Sequence, residues 1–355
     1  GGVMKAAAYA NTMLTIGLVV SAVAFYFTLP FFGQPDELLP LMKPYLLVNI
    51  LSIPFAVAGC QFKQFFDTIG RTKVSMYVLV SANILNIVGN YAFIYGHWGC
   101  PELGLLGAGL STAVSRIVIA LSFFIIYVRS KSCRVFFNGT VNAKGCEVKT
   151  HFRKINTLGW MSAIQSTIEC GAFSLVAIFV GWIGTKPLAA HQVMITLSMF
   201  FYNIYLGIAT AVSIRVSHFV GMQERQAIIE VTKSGFFIII AIATIMAIPI
   251  VIFRHDIGSV FSSDPLVGQL VAATVSDAFQ CCLAIALRGL GEMRPMMWAA
   301  FVAYFWVSLP LSWFLGIKMG FGLVGIWSSF PVCLTVAGLL YYIIFRNSLR
   351  TKQMT

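Results

Sequence analysis

Ten long apolar segments succeed one another along this chain of 355 residues, and they restrict its fold more than any other feature. A helix needs roughly 20 apolar residues to cross about 30 Å of hydrocarbon. The alternation that builds a membrane barrel is missing from the sequence, so the spans are predicted to be helical. We place them at residues 9–32, 44–62, 74–96, 104–128, 159–183, 188–214, 234–253, 265–287, 295–317 and 321–345.

The composition of the chain predicts the same class. Hydrophobic residues make up 59% of the sequence, charged residues make up 10%, and the mean hydropathy is +0.86. A soluble domain of this length would need far more polar surface. We therefore predict an all-α polytopic membrane protein.

The distribution of lysine and arginine predicts the orientation of the spans. With the N-terminus in the cytoplasm, most basic loop residues fall on the cytoplasmic side, where the positive-inside rule expects them. Both termini are then cytoplasmic. On the outside remain only Lys43, Lys186, Arg254 and Lys318, whereas the cytoplasmic loop residues include Arg225, Lys233, Arg288, Arg294 and Arg346. The net charge of +12 is therefore interpreted as an orientation signal and not as a nucleic-acid surface.

The sequence contains an internal repeat. The matching parts lie 218 to 221 positions apart, and they keep the same order along the chain. They are Gly70 and Gly291, Arg71 and Glu292, Met76 and Met297, residues 93–96 and 313–316, and residues 104–111 and 322–329. Because this offset spans six helices, the repeat predicts two lobes of the same topological sense, as in transporters with a site between lobes.

We assign the lobes from this repeat. Residues 1–128 are predicted to form an N-lobe with four helices, residues 129–158 a cytoplasmic linker, and residues 159–355 a C-lobe with six helices. The offset projects the start of the first half about 65 residues before Gly1. We therefore expect a two-lobed helical-bundle transporter with ten spans present of twelve in the parent.

Two carboxylates lie alone inside apolar spans. Glu169 is about 14 Å, and Asp277 about 15 Å, from the cytoplasmic end of its span at 1.5 Å per residue. A charged side chain at such a depth usually faces a cavity on an ion or substrate path. Two acids at one level predict a cation site, because carboxylate oxygens suit Na⁺ and a carboxyl group can also exchange a proton. The alternative is that each acid is hydrogen-bonded inside a packed bundle.

Five further polar residues are candidates to support this site or to line a substrate cavity. They are Gln165, Gln280, Asn203, Asn86 and Asn90. Both glutamines lie about one helical turn from an acid on the same face. Asn86 and Asn90 share a stripe of their span with Asn83, a pattern that favours hydrogen bonding between helices over ligand contact.

No catalytic motif stands where its mechanism would require it, which favours a transporter over an enzyme or an ATP-driven pump. The eight cysteines lack metal-ligand spacing and a disulfide pattern, and they are interpreted as small apolar residues.

Three segments together carry a recognisable pattern: residues 59–116 with GLLGAGLSTA, residues 187–221 with AAHQ, and residues 276–298 with ALRGLGEMRPMMW. They resemble the multidrug and toxic compound extrusion (MATE) family, in particular its NorM-like branch. The resemblance covers essentially the whole chain and begins at what would be the family's third helix. It implies that acids on the family's seventh and tenth helices take part in cation coupling, and Glu169 and Asp277 match those positions. It also implies export of amphipathic, often cationic drugs in exchange for Na⁺ or H⁺.

We therefore expect a secondary antiporter that works by alternating access, with Na⁺ or H⁺ as the coupling ion at Glu169 and Asp277 and no other cofactor. The predicted partners are small organic cations and membrane lipids, and not nucleic acid. We expect a monomer in the plasma membrane, the inner membrane in a bacterium. Two alternatives stay open: a flippase for lipid-linked precursors, which should present several interior cations, and a membrane subunit without transport activity.

Overall fold

The computed structural model describes residues 1–29, 39–130, 133–141, 145–252 and 264–351, which fold almost entirely into helices. Within these ranges we number eleven helices. They are α1 (Gly2–Thr28), α2 (Leu39–Thr68), α3 (Thr72–Tyr95), α4 (Leu105–Arg129), α5 (Arg134–Val141), α6 (Gly145–Ile183), α7 (Thr185–Met222), α8 (Arg225–Ile252), α9 (Asp264–Leu290), α10 (Met293–Lys318) and α11 (Gly322–Thr351).

Ten of these helices, all except the eight-residue α5, are long and apolar enough to cross a membrane. The predicted all-α polytopic fold is confirmed for the described residues. Each predicted span coincides with one of these helices, apart from the ends near residues 30–32 and 253, which lie outside the described ranges.

Several helices are longer than the apolar segments that predicted them. Helix α6 begins at Gly145, within the segment 129–158 that was expected to be a polar linker, and α7 continues to Met222. Lysine, arginine, glutamate and glutamine are good helix formers, so a helix can continue after its sequence has become too polar for hydrocarbon. Hydropathy therefore identifies the part of a helix that can lie in hydrocarbon, and it does not give the full length of the helix.

The chain divides into two compact units, Gly1–Thr157 and Leu158–Thr355. The first unit has a small aromatic core that includes Phe66, Phe123 and Tyr127. The second has a much larger core, in which α9 packs against α7, α8 and α11. Helix α9 is the most deeply buried of the candidate spans, so its side chains contact protein on most sides.

The internal repeat of the sequence is also a repeat of local geometry. Helix α2, which ends at Thr68, is followed by Gly70 with φ 76°, and α9, which ends at Leu290, is followed by Gly291 with φ 79°. After each glycine, the next backbone N–H bonds a carbonyl five residues back, that of Phe66 in one case and that of Leu287 in the other. This pattern closes a helix through a left-handed residue, which glycine adopts without steric cost.

A pair of side-chain bonds extends this correspondence. Arg71 donates to the hydroxyl of Ser130 over 3.0 Å, and the hydroxyl of Ser348 donates to Glu292 over 2.6 Å. Ser130 and Ser348 are 218 positions apart, one of the offsets of the repeat. In each unit, therefore, the residue after the glycine cap contacts the end of the second helix that follows it. This helix is α4 for Arg71 and α11 for Glu292.

Candidate functional site

Glu169 and Asp277 line one cavity of about 240 Å³ inside the second unit. Glu169 is carried by α6 and Asp277 by the central helix α9. The two acids that the sequence singled out are thus brought to one site, although they are far apart along the chain.

The remaining wall of this cavity comes from helices α7, α10 and α11. The wall as a whole is mostly apolar, with aromatic rings supplied by Phe173 of α6, Tyr202 of α7, and Trp327 and Phe330 of α11. Rings of this kind bind organic cations over their faces, and the contact is stronger when the site excludes water. The cavity therefore offers carboxylate oxygens that can bind a small cation, and it offers aromatic surfaces that can bind an organic cation.

A chain of hydrogen bonds orients Glu169. Nη2 of Arg288 donates to Oε1 of Gln165 over 3.0 Å, and Nε2 of Gln165 donates to Oε1 of Glu169 over 2.9 Å. An amide has one acceptor and one donor end, so the guanidinium fixes which end of Gln165 faces the carboxylate. The arrangement also gives the cavity one positive charge against two acids, so a single net negative charge remains when both acids are ionised.

Asp277 lacks such an arrangement. Among the described residues, none donates a hydrogen bond to its carboxylate. The hydroxyl of Ser198, which also lines the cavity, is buried without a hydrogen-bond partner in the described part of the chain. Buried polar groups are usually satisfied, so the hydroxyl of Ser198 can bind a ligand in the cavity that both acids line.

Gln280 lines the cavity, and its side chain is hydrogen-bonded to Tyr304. Its Nε2 atom lies 3.0 Å from the hydroxyl of Tyr304, within a π-helical turn of α10, Val302–Ser308. Turns of this kind insert an extra residue into a helix and recur at functional sites. The geometry therefore places Gln280 as a support for Tyr304, which lines the same cavity.

The three candidate asparagines have other contacts. Asn86 donates from its amide to Ser111 over 3.3 Å and also accepts from Ser111 through its backbone carbonyl, and Asn90 donates to Asn86 over 3.2 Å. The two bonds between Asn86 and Ser111 join α3 to α4 within the first unit, whereas the bond between Asn90 and Asn86 lies within α3. Asn203 is exposed, bonds its own helix backbone at Met199, and is not among the described residues that line the cavity.

Arg288 is a site residue that sequence reasoning assigned to a loop. It lies in the last turn of α9, and its side chain lines the cavity. The spacing of the sequence could have placed Arg288 at the site. Asp277, Cys281, Ala284 and Arg288 follow one another at steps of four, three and four, so they share one face of a helix. Side chains also tilt towards the start of their helix, which directs Arg288 back along α9 towards the acids.

His191 was noted only as part of the AAHQ segment, and it supports the wall of the cavity. It is fully buried, and its Nδ1 atom accepts a hydrogen bond from the indole N–H of Trp327 over 3.1 Å. Because Nδ1 is the acceptor, the contact requires the neutral ring with its proton on Nε2. His191 thereby fixes one aromatic ring of the cavity.

Comparison with known proteins places this chain in a family. The family model MatE matches residues 3–92 and 162–314. A probable multidrug resistance protein NorM of Photorhabdus laumondii is 25% identical, over 94% of this chain and 76% of the relative. The multidrug resistance protein NorM of Vibrio cholerae is 27% identical, over 92% of this chain and 74% of the relative. An uncharacterized transporter of Bacillus subtilis, YisQ, is 27% identical over 94% and 74%.

Solved structures share the fold. The eukaryotic MATE transporter AtDTX14 superimposes with a TM-score of 0.79 at 17% identity, covering 100% of this chain and 81% of the other. An outward-facing multidrug resistance MATE family transporter gives 0.78 at 17% identity, over 100% and 84%. With its ten candidate spans and a family model that matches more than half of its length, the chain is a multi-pass membrane protein that belongs to the MatE family of transporters.

Proposed function

We propose that this protein is a cation-coupled antiporter that exports amphipathic or cationic organic compounds in exchange for Na⁺ or H⁺. The observation that carries the proposal is the meeting of Glu169 and Asp277 in one cavity with aromatic walls. Such acids are rare in spans and mark ion paths. The relatives named as multidrug resistance proteins support the choice of substrate class.

The coupling ion binds at the two carboxylates. A Na⁺ ion would be held by carboxylate oxygens of Glu169 and Asp277, with the hydroxyl of Ser198 within the same cavity. A proton would neutralise one of the acids instead. In either case the net negative charge of the cavity is cancelled, which weakens its attraction for an organic cation. Coupling then follows from competition, because ligands that bind one site with opposite preferences shift the same conformational equilibrium.

The membrane placement belongs to the proposal as well. We infer that the protein works as a monomer in a plasma membrane, the inner membrane in a bacterium, with both termini in the cytoplasm as the loop charges predict. Its partners are small organic cations and lipids. A flippase for lipid-linked precursors is less well supported, since Arg288 is the one cation among the described residues that line this cavity, and it is bonded to Gln165.

Transport by reconstituted protein tests the proposal. The full chain and its Glu169→Gln, Asp277→Asn and double variants are placed in vesicles, and export of a fluorescent organic cation is followed under a Na⁺ gradient or an H⁺ gradient alone. Each single variant should lose gradient-driven export, and the double should resemble the singles, because groups that act as one unit are not additive.

The matched control is Glu230→Gln. Glu230 is an exposed acid on α8 that accepts a bond from Gln226, four residues earlier, over 3.0 Å, as Glu169 does from Gln165. This variant should transport like the parent. Gradient-driven export that persists in both cavity variants would contradict the proposal.

A further inference from the structure

A second cavity in the same unit has a different chemistry. It measures about 320 Å³ and lies between α8, α9 and α11. Its deeper wall is apolar, formed by residues such as Ile229, Phe236, Phe279, Leu283 and Phe345. None of these residues lines the cavity that contains Glu169, so the two sites are separate.

Three basic side chains surround this second cavity. They are Arg225 and Lys233 in the first turns of α8, and Arg346 near the end of α11. The described lining contains no acid, and none of the three forms an ion pair with a described residue. Nε of Arg225 is also buried without a hydrogen-bond partner in the described part of the chain. The positive charge is therefore left for a ligand.

The position of these charges defines the kind of ligand. The start of α8 and the last turns of α11 lie at the same end of this cavity, because Arg225 begins α8, Arg346 is near the end of α11, and both line it. Arg225 and Arg346 thus lie at one end of the cavity. Lys233 lies eight residues further along α8, about 12 Å at 1.5 Å per residue, and a helical side chain tilts back towards the start of its helix, which is the end that carries Arg225. The apolar wall continues inwards to Phe236 and Phe279. An anionic head with an apolar tail matches both parts, whereas a free anion would leave the apolar wall unfilled.

We propose that this cavity binds one anionic phospholipid, with the phosphate held by Arg225, Lys233 and Arg346 and an acyl chain lying against Phe236 and Phe279. Basic residues near a membrane surface attract anionic lipids, and a cavity between helices converts that attraction into a defined site. The site does not depend on Glu169 or Asp277, so its test is independent of the proposed transport function.

Lipid binding to the purified full chain tests the inference. Delipidated protein in mild detergent is titrated with phosphatidylglycerol, with phosphatidylcholine of the same acyl chains, and with inorganic phosphate. Stoichiometry is read by native mass spectrometry and stabilisation by thermal unfolding. Phosphatidylglycerol should bind one molecule per chain, about tenfold or more tighter than phosphatidylcholine. Equal binding of the two lipids would overturn the proposal, and so would equal stabilisation by inorganic phosphate.

Charge variants locate the site. The triple variant Arg225→Gln, Lys233→Gln and Arg346→Gln should weaken phosphatidylglycerol binding about a hundredfold, since each basic group near the surface contributes roughly fivefold. Its control removes three exposed cations that do not line the cavity, through Arg215→Gln, Arg294→Gln and Arg350→Gln. Equal loss in both triples would show general attraction to charge and overturn a defined site.

Two further variants separate binding from folding defects. Arg225→Lys with Arg346→Lys keeps the charges and should retain most of the affinity. Ile229→Trp keeps all three cations but fills the apolar part of the cavity, so it should lower the affinity for the lipid. Affinity equal to the parent in Ile229→Trp would remove the acyl chain from the cavity and contradict the proposal.

Discussion

The guanidinium of Arg288 donates to the side-chain oxygen of Gln165 over 3.0 Å, although the two residues stand on different helices and 123 positions apart. The amide nitrogen of Gln165 in turn donates to Glu169, so Arg288 helps to orient this carboxylate through Gln165. The bond therefore connects the end of the central helix α9 to a carboxylate on α6. Removing either partner should change how the cavity binds cations.

Replacing Arg288 should change the affinity for the coupling ion. Arg288→Gln leaves two acids without the opposing charge, so a cation or proton should bind more tightly. We expect the ion concentration for half-maximal transport to fall about tenfold, equivalent to about 1.4 kcal/mol. Initial transport rates against Na⁺ concentration and against pH measure this value. Arg294→Gln, an exposed arginine outside the cavity, serves as the control. An unchanged half-maximal concentration in Arg288→Gln would refute the electrostatic role.

Gln165 offers a matched comparison with Gln226. Each glutamine donates to a glutamate four residues later, over 2.9 Å for Gln165 and 3.0 Å for Gln226. Gln165→Leu leaves both the partly buried carboxylate of Glu169 and Arg288 without this partner, so it should destabilise the protein by about 1–3 kcal/mol and impair coupling. Gln226→Leu breaks an exposed bond and should cost under about 0.5 kcal/mol. Chemical unfolding and transport are compared for the two variants, and equal effects would contradict a special role for Gln165.

The contact between His191 and Trp327 should stabilise the cavity wall. His191→Leu leaves the indole N–H buried without an acceptor, which costs about 1–3 kcal/mol. His191→Asn places an oxygen near the former Nδ1 atom and should recover part of that loss. The double variant with Trp327→Phe should lose less than the sum of the single variants, because the donor has been removed as well. Unfolding free energies of the parent, the three single variants and the double variant of His191→Leu with Trp327→Phe test this, and additive losses would show that the bond contributes nothing.

The glycine caps of the repeat should tolerate substitution poorly for a backbone reason alone. A Cβ atom at Gly70 or Gly291 would meet nothing within 4 Å, but both residues have positive φ. Alanine at either position should therefore cost about 1 kcal/mol, and asparagine less. Gly268→Ala is the control, because this helical glycine also has open space and lacks the positive φ. Thermal unfolding compares the three alanine variants; a neutral Gly291→Ala would contradict the strain argument.

Cysteine labelling tests the orientation. In a background without native cysteines, a cysteine at Lys186 should react with an impermeant reagent from outside the cell, and one at Gln226 only after permeabilisation. Both positions are exposed. Lys186 is a better labelling position than Gly184 in the same connection, because Gly184 has a φ of 148°, which disfavours a side chain. Two other useful loop positions, Ala143 and Ser263, lie outside the described residues. The reverse labelling pattern would invert the proposed topology.

The sequence by itself determined the ten spans, the helical class, the family resemblance and the two unusual acids. These features are local, because the transfer of a segment into hydrocarbon depends on its own side chains. The internal repeat could also be recognised from the sequence, because it depends on local features such as helix caps. A left-handed helix cap favours glycine at a fixed position, and Gly70 and Gly291 occupy that position in the two units.

Only the tertiary structure decided which polar groups meet. Gln280 pairs with Tyr304, Asn86 with Ser111, and Arg288, expected in a loop, reaches Gln165. Likewise, Arg225 and Arg346 surround one cavity although both served only as orientation signals in the sequence. A hydrogen bond between helices depends on their rotation and close packing to within about 3 Å. That geometry is set by the whole core, and no single segment carries it.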